Sequence, residues 1–142
     1  MAQDPQGVNA CEVWWSTNGG PFAHASMALQ SGGNYAGTIP GYSAGTIVQF
    51  YTRAVDGLGA AATYPATGTN AGALYMVADG QAELNRGHNL RVILTPANRA
   101  LLHATTNVMS NENLPCTVLY DEQRAYYDMG GAAQEQRARA GG

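Results

Sequence analysis

The stretch Cys11-Glu12-Val13-Trp14-Trp15-Ser16-Thr17, followed at once by Asn18-Gly19-Gly20 and then by Phe22-Ala23-His24-Ala25-Ser26, reads as an antiparallel hairpin and sets the fold class. Cys11, Val13 and Trp15 alternate with Glu12, Trp14 and Ser16, so a strand with its period of two sends the first set toward a core and the second outward. Asn18-Gly19 supplies the turn, because a type I′ connection needs positive φ at both central residues. The return strand is expected over about residues 22–29.

Working outward, Ser31-Gly32-Gly33-Asn34 turns the chain into a strand over 35–39, which Pro40-Gly41 ends because proline donates nothing to a ladder. The longest strand is expected over 46–55, with Val48, Phe50, Thr52 and Ala54 on one face and Gln49, Tyr51 and Arg53 on the other. Its length makes it the central strand. Asp56-Gly57-Leu58-Gly59 then turns into a strand over 60–64, closed by Pro65. Short strands with turn chemistry at close spacing predict an antiparallel β-sandwich over residues 1–65.

Residues 66–73 shift to Thr, Gly, Asn and Ala, with no side chain large enough to anchor a core, and are expected to form a linker that proteases cut. A second, partial α+β unit is expected over 74–130. Strands are placed at 74–77 and 90–94, and Thr95 caps a helix that starts at Pro96 and runs to about 104, burying Leu101 and Leu102. A hairpin follows, 117–120 and 124–129, turning at Asp121-Glu122-Gln123. Residues 131–142 are expected to be a disordered or frameshifted tail. The fold class is therefore mainly β, an antiparallel sandwich plus a partial α+β unit.

Composition excludes several function classes. Among 142 residues, 45% are hydrophobic and 12% charged, enough apolar material for a core. The formal charge is −3 and no Lys/Arg run precedes the C-terminal tail, so the clustered basic face that phosphate neutralisation requires is missing and nucleic acid is not an expected partner. No apolar run is long enough to span a bilayer. The N-terminus has neither the basic nor the apolar region of a secretory signal, which leaves a cytosolic product or a start upstream of Met1. Cys11 and Cys116 lack C-x-x-C partners and read as two isolated thiols; their oxidation state is left open.

Val13 to Gly20, then Tyr35-Ala36-Gly37-Thr38-Ile39-Pro40-Gly41, then Val48-Gln49-Phe50-Tyr51 and Ala54-Val55-Asp56-Gly57 resemble the fibronectin-III-like, immunoglobulin-like sandwich modules of large bacterial surface and secreted proteins. Arg91-Val92-Ile93-Leu94-Thr95, Asn107-Val108-Met109-Ser110-Asn111-Glu112, Thr117-Val118-Leu119-Tyr120 and Tyr126-Tyr127-Asp128-Met129-Gly130 are similar to the start of the CotH kinase family, the spore-coat-type atypical kinases. This resemblance implies an extracellular or cell-surface parent, neighbouring domains as partners, and a basic phrase close to V-R-L-K-S-S-E-R after Gly130. The chain instead has Gly131-Ala132-Ala133-Gln134-Glu135-Gln136-Arg137-Ala138. A single nucleotide string encodes both octapeptides one base apart, so a frameshift at Gly130–Gly131 is expected.

No catalytic, metal or cofactor residue is assigned. Neither G-x-x-x-x-G-K-[ST] nor G-x-G-x-x-G occurs, so phosphate-binding machinery cannot be placed. His24, His88 and His103 are too scattered for a zinc motif. Ser16, Ser26, Ser31, Ser43 and Ser110 lack the G-x-S-x-G elbow. Asp121, Glu122 and Asp128 gather near one hairpin, as a calcium site or as solvated carboxylates. Trp14 and Tyr51 are the candidate ligand-binding residues, since an outward Trp stacks on a sugar ring, anchors a partner protein, or packs beneath a neighbouring domain. The functional expectation is a non-catalytic structural or interaction module of a larger exported protein. The alternatives are a fragment of an ATP-dependent kinase and a carbohydrate-binding module built on Trp14.

Overall fold

Alternation along residues 8–17 produces the first strand, β1 (Val8–Thr17), and Asn18 and Gly19 adopt φ of 49° and 76°, the two positive values its turn requires. The chain returns as β2 (Phe22–Ser26), antiparallel to β1. This computed structural model describes residues 7–82, 87–107 and 112–130. The N-terminal residues 1–6, the phrase Val108-Met109-Ser110-Asn111 and the tail over 131–142, with its expected frameshift, lie outside the described residues.

The protein is mainly β, with antiparallel sheets and, among the described residues, one α-helix. The return strand is shorter than expected. It breaks at Met27, whose amide bonds to the Cys11 carbonyl, and resumes as β3 (Ala28–Leu29), paired with β4 (Tyr35–Ala36) in a two-stranded ribbon. The long strand β5 (Ile47–Asp56) pairs with β1 along nearly its whole length and occupies the centre of the first sheet, as its length predicted. On its other edge it carries two short strands end to end, β6 (Ala61–Tyr64) on its second half and β7 (Leu74–Met76) on its first.

One face of this sheet holds the core expected from the alternation. Val13, Trp15 and Val48 are buried, and Met27, Ile39 and Tyr42 pack over them from the ribbon and the segment after it. The Trp15 indole N–H donates to the Tyr42 hydroxyl at 2.7 Å, so burying this ring leaves no donor unpaired.

The second sheet has the order β10–β9–β8, with β8 (Leu90–Leu94), β9 (Cys116–Tyr120) and β10 (Arg124–Met129). Between β8 and β9 lies α1 (Pro96–His103), whose cap is the predicted one: Thr95 Oγ1 accepts from the Asn98 amide at 3.2 Å. The expected burial of Leu101 and Leu102 is not found. They are 46% and 56% exposed, the helix leaning on β8 and the neighbouring turn.

Of the segment expected to be a linker, Ala66, Thr67, Thr69 and Asn70 are exposed, whereas its last three residues, Ala71 to Ala73, are part of the core. Ala71 and Ala73 are fully buried, Leu74 belongs to the first sheet, and the Phe50 amide bonds to the Ala73 carbonyl. Its residues are small because backbones meet here. A Cβ on Gly72 would lie 2.6 Å from the Cys116 amide nitrogen and 2.8 Å from the Pro115 carbonyl carbon. Side chains too small to anchor a core by themselves here permit the close approach that joins the sheets. The Gly72 amide donates to Asp128 Oδ1 at 2.6 Å, and the Gly72 carbonyl accepts from Thr117 Oγ1 at 2.7 Å. Thr117 Oγ1 in turn accepts from the Leu74 amide at 2.8 Å. Edge-on contact between Phe50 and Tyr127 adds an apolar bond across the same junction.

Candidate functional site

The second face of the β2–β1–β5 surface carries the residues that alternation sends away from the Val13–Trp15 core. Register sets them in three cross-strand rows: Phe22, Ser16 and Gln49; then His24, Trp14 and Tyr51; then Ser26, Glu12 and Arg53. Exposure rises along the rows. Ser16 and Gln49 are 1% and 8% exposed and Tyr51 is 7%, whereas His24 and Arg53 reach solvent. The expected outward face is therefore covered at one end. The cover is the 3₁₀ turn Gly68–Asn70 and the chain after it, since Gln49 Nε2 donates to the carbonyls of Thr69 at 2.9 Å and Ala71 at 2.7 Å.

The two candidate ligand residues, Trp14 and Tyr51, are brought together. Their rings stack with centroids 6.0 Å apart and planes 11° apart, and His24 stacks on the opposite face of Trp14 at 4.4 Å and 18°. Both faces of the Trp14 indole are thus occupied by its cross-strand neighbours. Only the ring edge remains, and its N–H is engaged by Glu12 Oε2 at 3.0 Å. A sugar ring that stacks on an aromatic needs an open face, and in this arrangement His24 and Tyr51 compete for both faces of Trp14. Burial pushes the Tyr51 hydroxyl above its ordinary value. The Trp14 N–H, with Arg53 and His24 nearby, holds the Glu12 carboxyl below the usual carboxylate range.

Beyond Phe22, which touches Tyr51 at a centroid distance of 5.5 Å, the aromatic row runs into a cleft of about 520 Å³. Its floor is Ser16 and Gln49. It is further lined by the β1–β2 turn with Asn18, by the first turn of α1 with Pro96 and Asn98, which meets that turn at Gly19, and by the exposed Asn70 and Asn113. Sequence reasoning missed this cleft, because its walls come from five stretches between residues 16 and 115 that only folding juxtaposes. The small, polar turn Thr67-Gly68-Thr69-Asn70 is its one local signal, and the same composition fits a linker.

The remaining candidates are accounted for individually. Asp121 and Glu122, both with positive φ, turn toward β8: Asp121 accepts from the Asn89 amide at 2.7 Å and pairs with His88 at 2.8 Å, while Glu122 pairs with Arg91 at 3.2 Å. Arg91 also bonds both oxygens of Asp79. Asp128 sits elsewhere, at Gly72. These carboxylates do not converge, and among the described residues no group of three or more His, Cys, Asp or Glu forms a metal cage. Ser16 Oγ donates to the Gly20 carbonyl at 2.6 Å, a turn-locking role. Cys11 and Cys116 are both free, each half-buried, and burial raises both thiols above the ordinary value. Among the described residues no helix is long and apolar enough to cross a membrane. The sequence matches no family model and no curated protein.

Proposed function

We propose that this chain is a non-catalytic structural and interaction module of a larger exported or cell-surface protein, in which a fibronectin-III-like unit is set rigidly against the opening strands of a CotH-like domain. The observation that carries this reading is the stretch Gly72–Leu74, whose backbone bonds at once to β5 through Phe50, to β9 through Thr117 and to the end of β10 through Asp128. A chain shared between two sheets transmits orientation and load, whereas a flexible tether does not. Neighbouring domains are the natural partners of such a spacer, and the exposed apolar side chains of Leu90, Val92, Leu101 and Leu102 agree with further contacts on the second unit.

Two measurements test the reading. Thermal unfolding followed by tryptophan fluorescence, which reports β1, and by proteolysis of the second unit should give one coincident transition. Separate transitions would show that the sheets are not coupled and would remove the spacer role. Isothermal calorimetry with Mg-ATP should show no saturable binding; saturable binding would replace this proposal with the kinase reading.

A further inference from the structure

We propose that the cleft between the β1–β2 turn, the 3₁₀ turn Gly68–Asn70 and the first turn of α1 is a binding site for a neutral saccharide, held through side-chain amides. The proposal stands on the cleft's own geometry and goes beyond the module's spacer role. At about 520 Å³ the cleft falls in the size range of small-molecule sites. Its floor is rigid before any ligand arrives, because Ser16 is bonded to Gly20 and Gln49 is bonded twice, to Thr69 and Ala71. Preorganisation of this kind reduces the entropy lost on binding.

The chemistry of the rim selects the ligand class. Asn18 uses its Oδ1 to accept from the Ile47 amide, which turns its NH₂ group to other use. Asn98 spends an amide hydrogen on the Pro115 carbonyl and keeps its Oδ1 as an acceptor. Asn70 and Asn113 bring two more amides to the same opening. Asn70 and Asn113 each carry a donor and an acceptor side by side, the pattern that a pair of neighbouring hydroxyls satisfies, while Asn18 adds a donor and Asn98 an acceptor. Among the described residues no Lys, Arg or His lines the cleft, so they offer a phosphate or carboxylate no counter-charge; the one ionisable lining residue among them is Glu112. Phe22, Leu114 and Pro96 supply apolar wall against which the C–H face of a pyranose packs. This site is separate from Trp14, whose ring faces His24 and Tyr51 occupy.

The test is a two-dimensional NMR titration of the full chain with glucose, galactose, mannose and N-acetylglucosamine, with glucose 6-phosphate and triglycine as comparators. At least one neutral sugar should shift the amide signals of Phe22, Asn70, Asn98 and Asn113, saturably and ahead of both comparators. The Asn70→Ala/Asn113→Ala double variant should bind that sugar about tenfold more weakly, the loss of two neutral hydrogen-bonding groups. Ala97→Phe, which projects a ring from the exposed side of the α1 first turn into the opening, should abolish binding; both variants keep the hydrogen bonds described above and an unchanged melting temperature. The inference is overturned if no neutral sugar shifts these signals, if the shifts map elsewhere, if the variants bind as the parent does, or if triglycine or the phosphate ester is preferred.

Discussion

Replacing Gly72 with Ala separates a linker from a stitched junction by the sign of its effect. Gly72 does not have positive φ, so in open space an added methyl would stabilise the protein by about 0.4–1 kcal/mol through the unfolded chain. In the structure the new Cβ would sit 2.6 Å from the Cys116 nitrogen and 2.8 Å from the Pro115 carbonyl carbon, where ordinary contact begins at 3.4 Å. Relief therefore requires a backbone movement of 3.4 − 2.6, about 0.8 Å, because neither atom can swing aside as a side chain would. Overpacking of this kind costs about 1–3 kcal/mol, and the same movement weakens the bonds to Asp128 and Thr117, each worth roughly 1 kcal/mol. The expected sum is about 2–4 kcal/mol, or roughly 8–16 °C in melting temperature for a domain of this size. Urea and thermal unfolding of Gly72→Ala measure it, with Gly41→Ala as the control, since a Cβ there meets nothing within 4 Å. Gly72→Ala as stable as the parent, together with rapid cleavage at residues 66–73, would restore the linker reading and refute the junction.

Thr117→Val keeps the shape of a fully buried side chain and strands the Leu74 amide, while Gly72 O retains Asp128 as a donor, so urea unfolding should show a loss of about 1–3 kcal/mol; an unchanged midpoint would mean that water replaces the hydroxyl. The Asp121 carboxyl is held below its ordinary value by His88 first and then by the Asn89 amide, so its contribution is present above the unfolded value near 4 and is lost as pH falls through the lower folded value. Asp121→Asn, which also tolerates the positive φ there, should therefore be less stable than the parent at pH 7, and the difference should shrink below about pH 4. A difference independent of pH would show that the pair with His88 contributes nothing. Both thiols titrate above their usual value, so a maleimide should label Cys11 and Cys116 more slowly at pH 8 than it labels the urea-unfolded chain. Equal rates would contradict their burial.

Local chemistry made most of the elements legible. Alternation at Val13–Ser16 and Val48–Arg53 separated the two faces of the central strands, Asn18-Gly19 fixed the hairpin, and Thr95-Pro96 marked the start of the only α-helix among the described residues. Each of these depends on neighbours within a few residues, which is why a linear reading reaches them. That Trp14 and Tyr51 share one face follows from the pairing of β1 with β5, which alternation along each strand does not give.

What lies over each face is a different kind of fact. Gln49 and Tyr51 have the alternation of solvent-facing residues and are buried, Gln49 because the chain after Pro65 folds back over it and Tyr51 among the rings of Trp14 and Phe22. The openness of Trp14 depended on His24 and Tyr51 stacking on both sides, which register decides and composition does not. At Gly72, small residues carry opposite meanings in an exposed tether and in a close backbone crossing, and the two are indistinguishable until the atoms on the other side are known. By itself the sequence determined where most strands and the helix lie; tertiary structure alone decided where the strands begun at Phe22 and Tyr35 break off, and that the end of the supposed linker joins two sheets and closes one end of a cleft, because burial is a property of pairs of segments far apart in the chain.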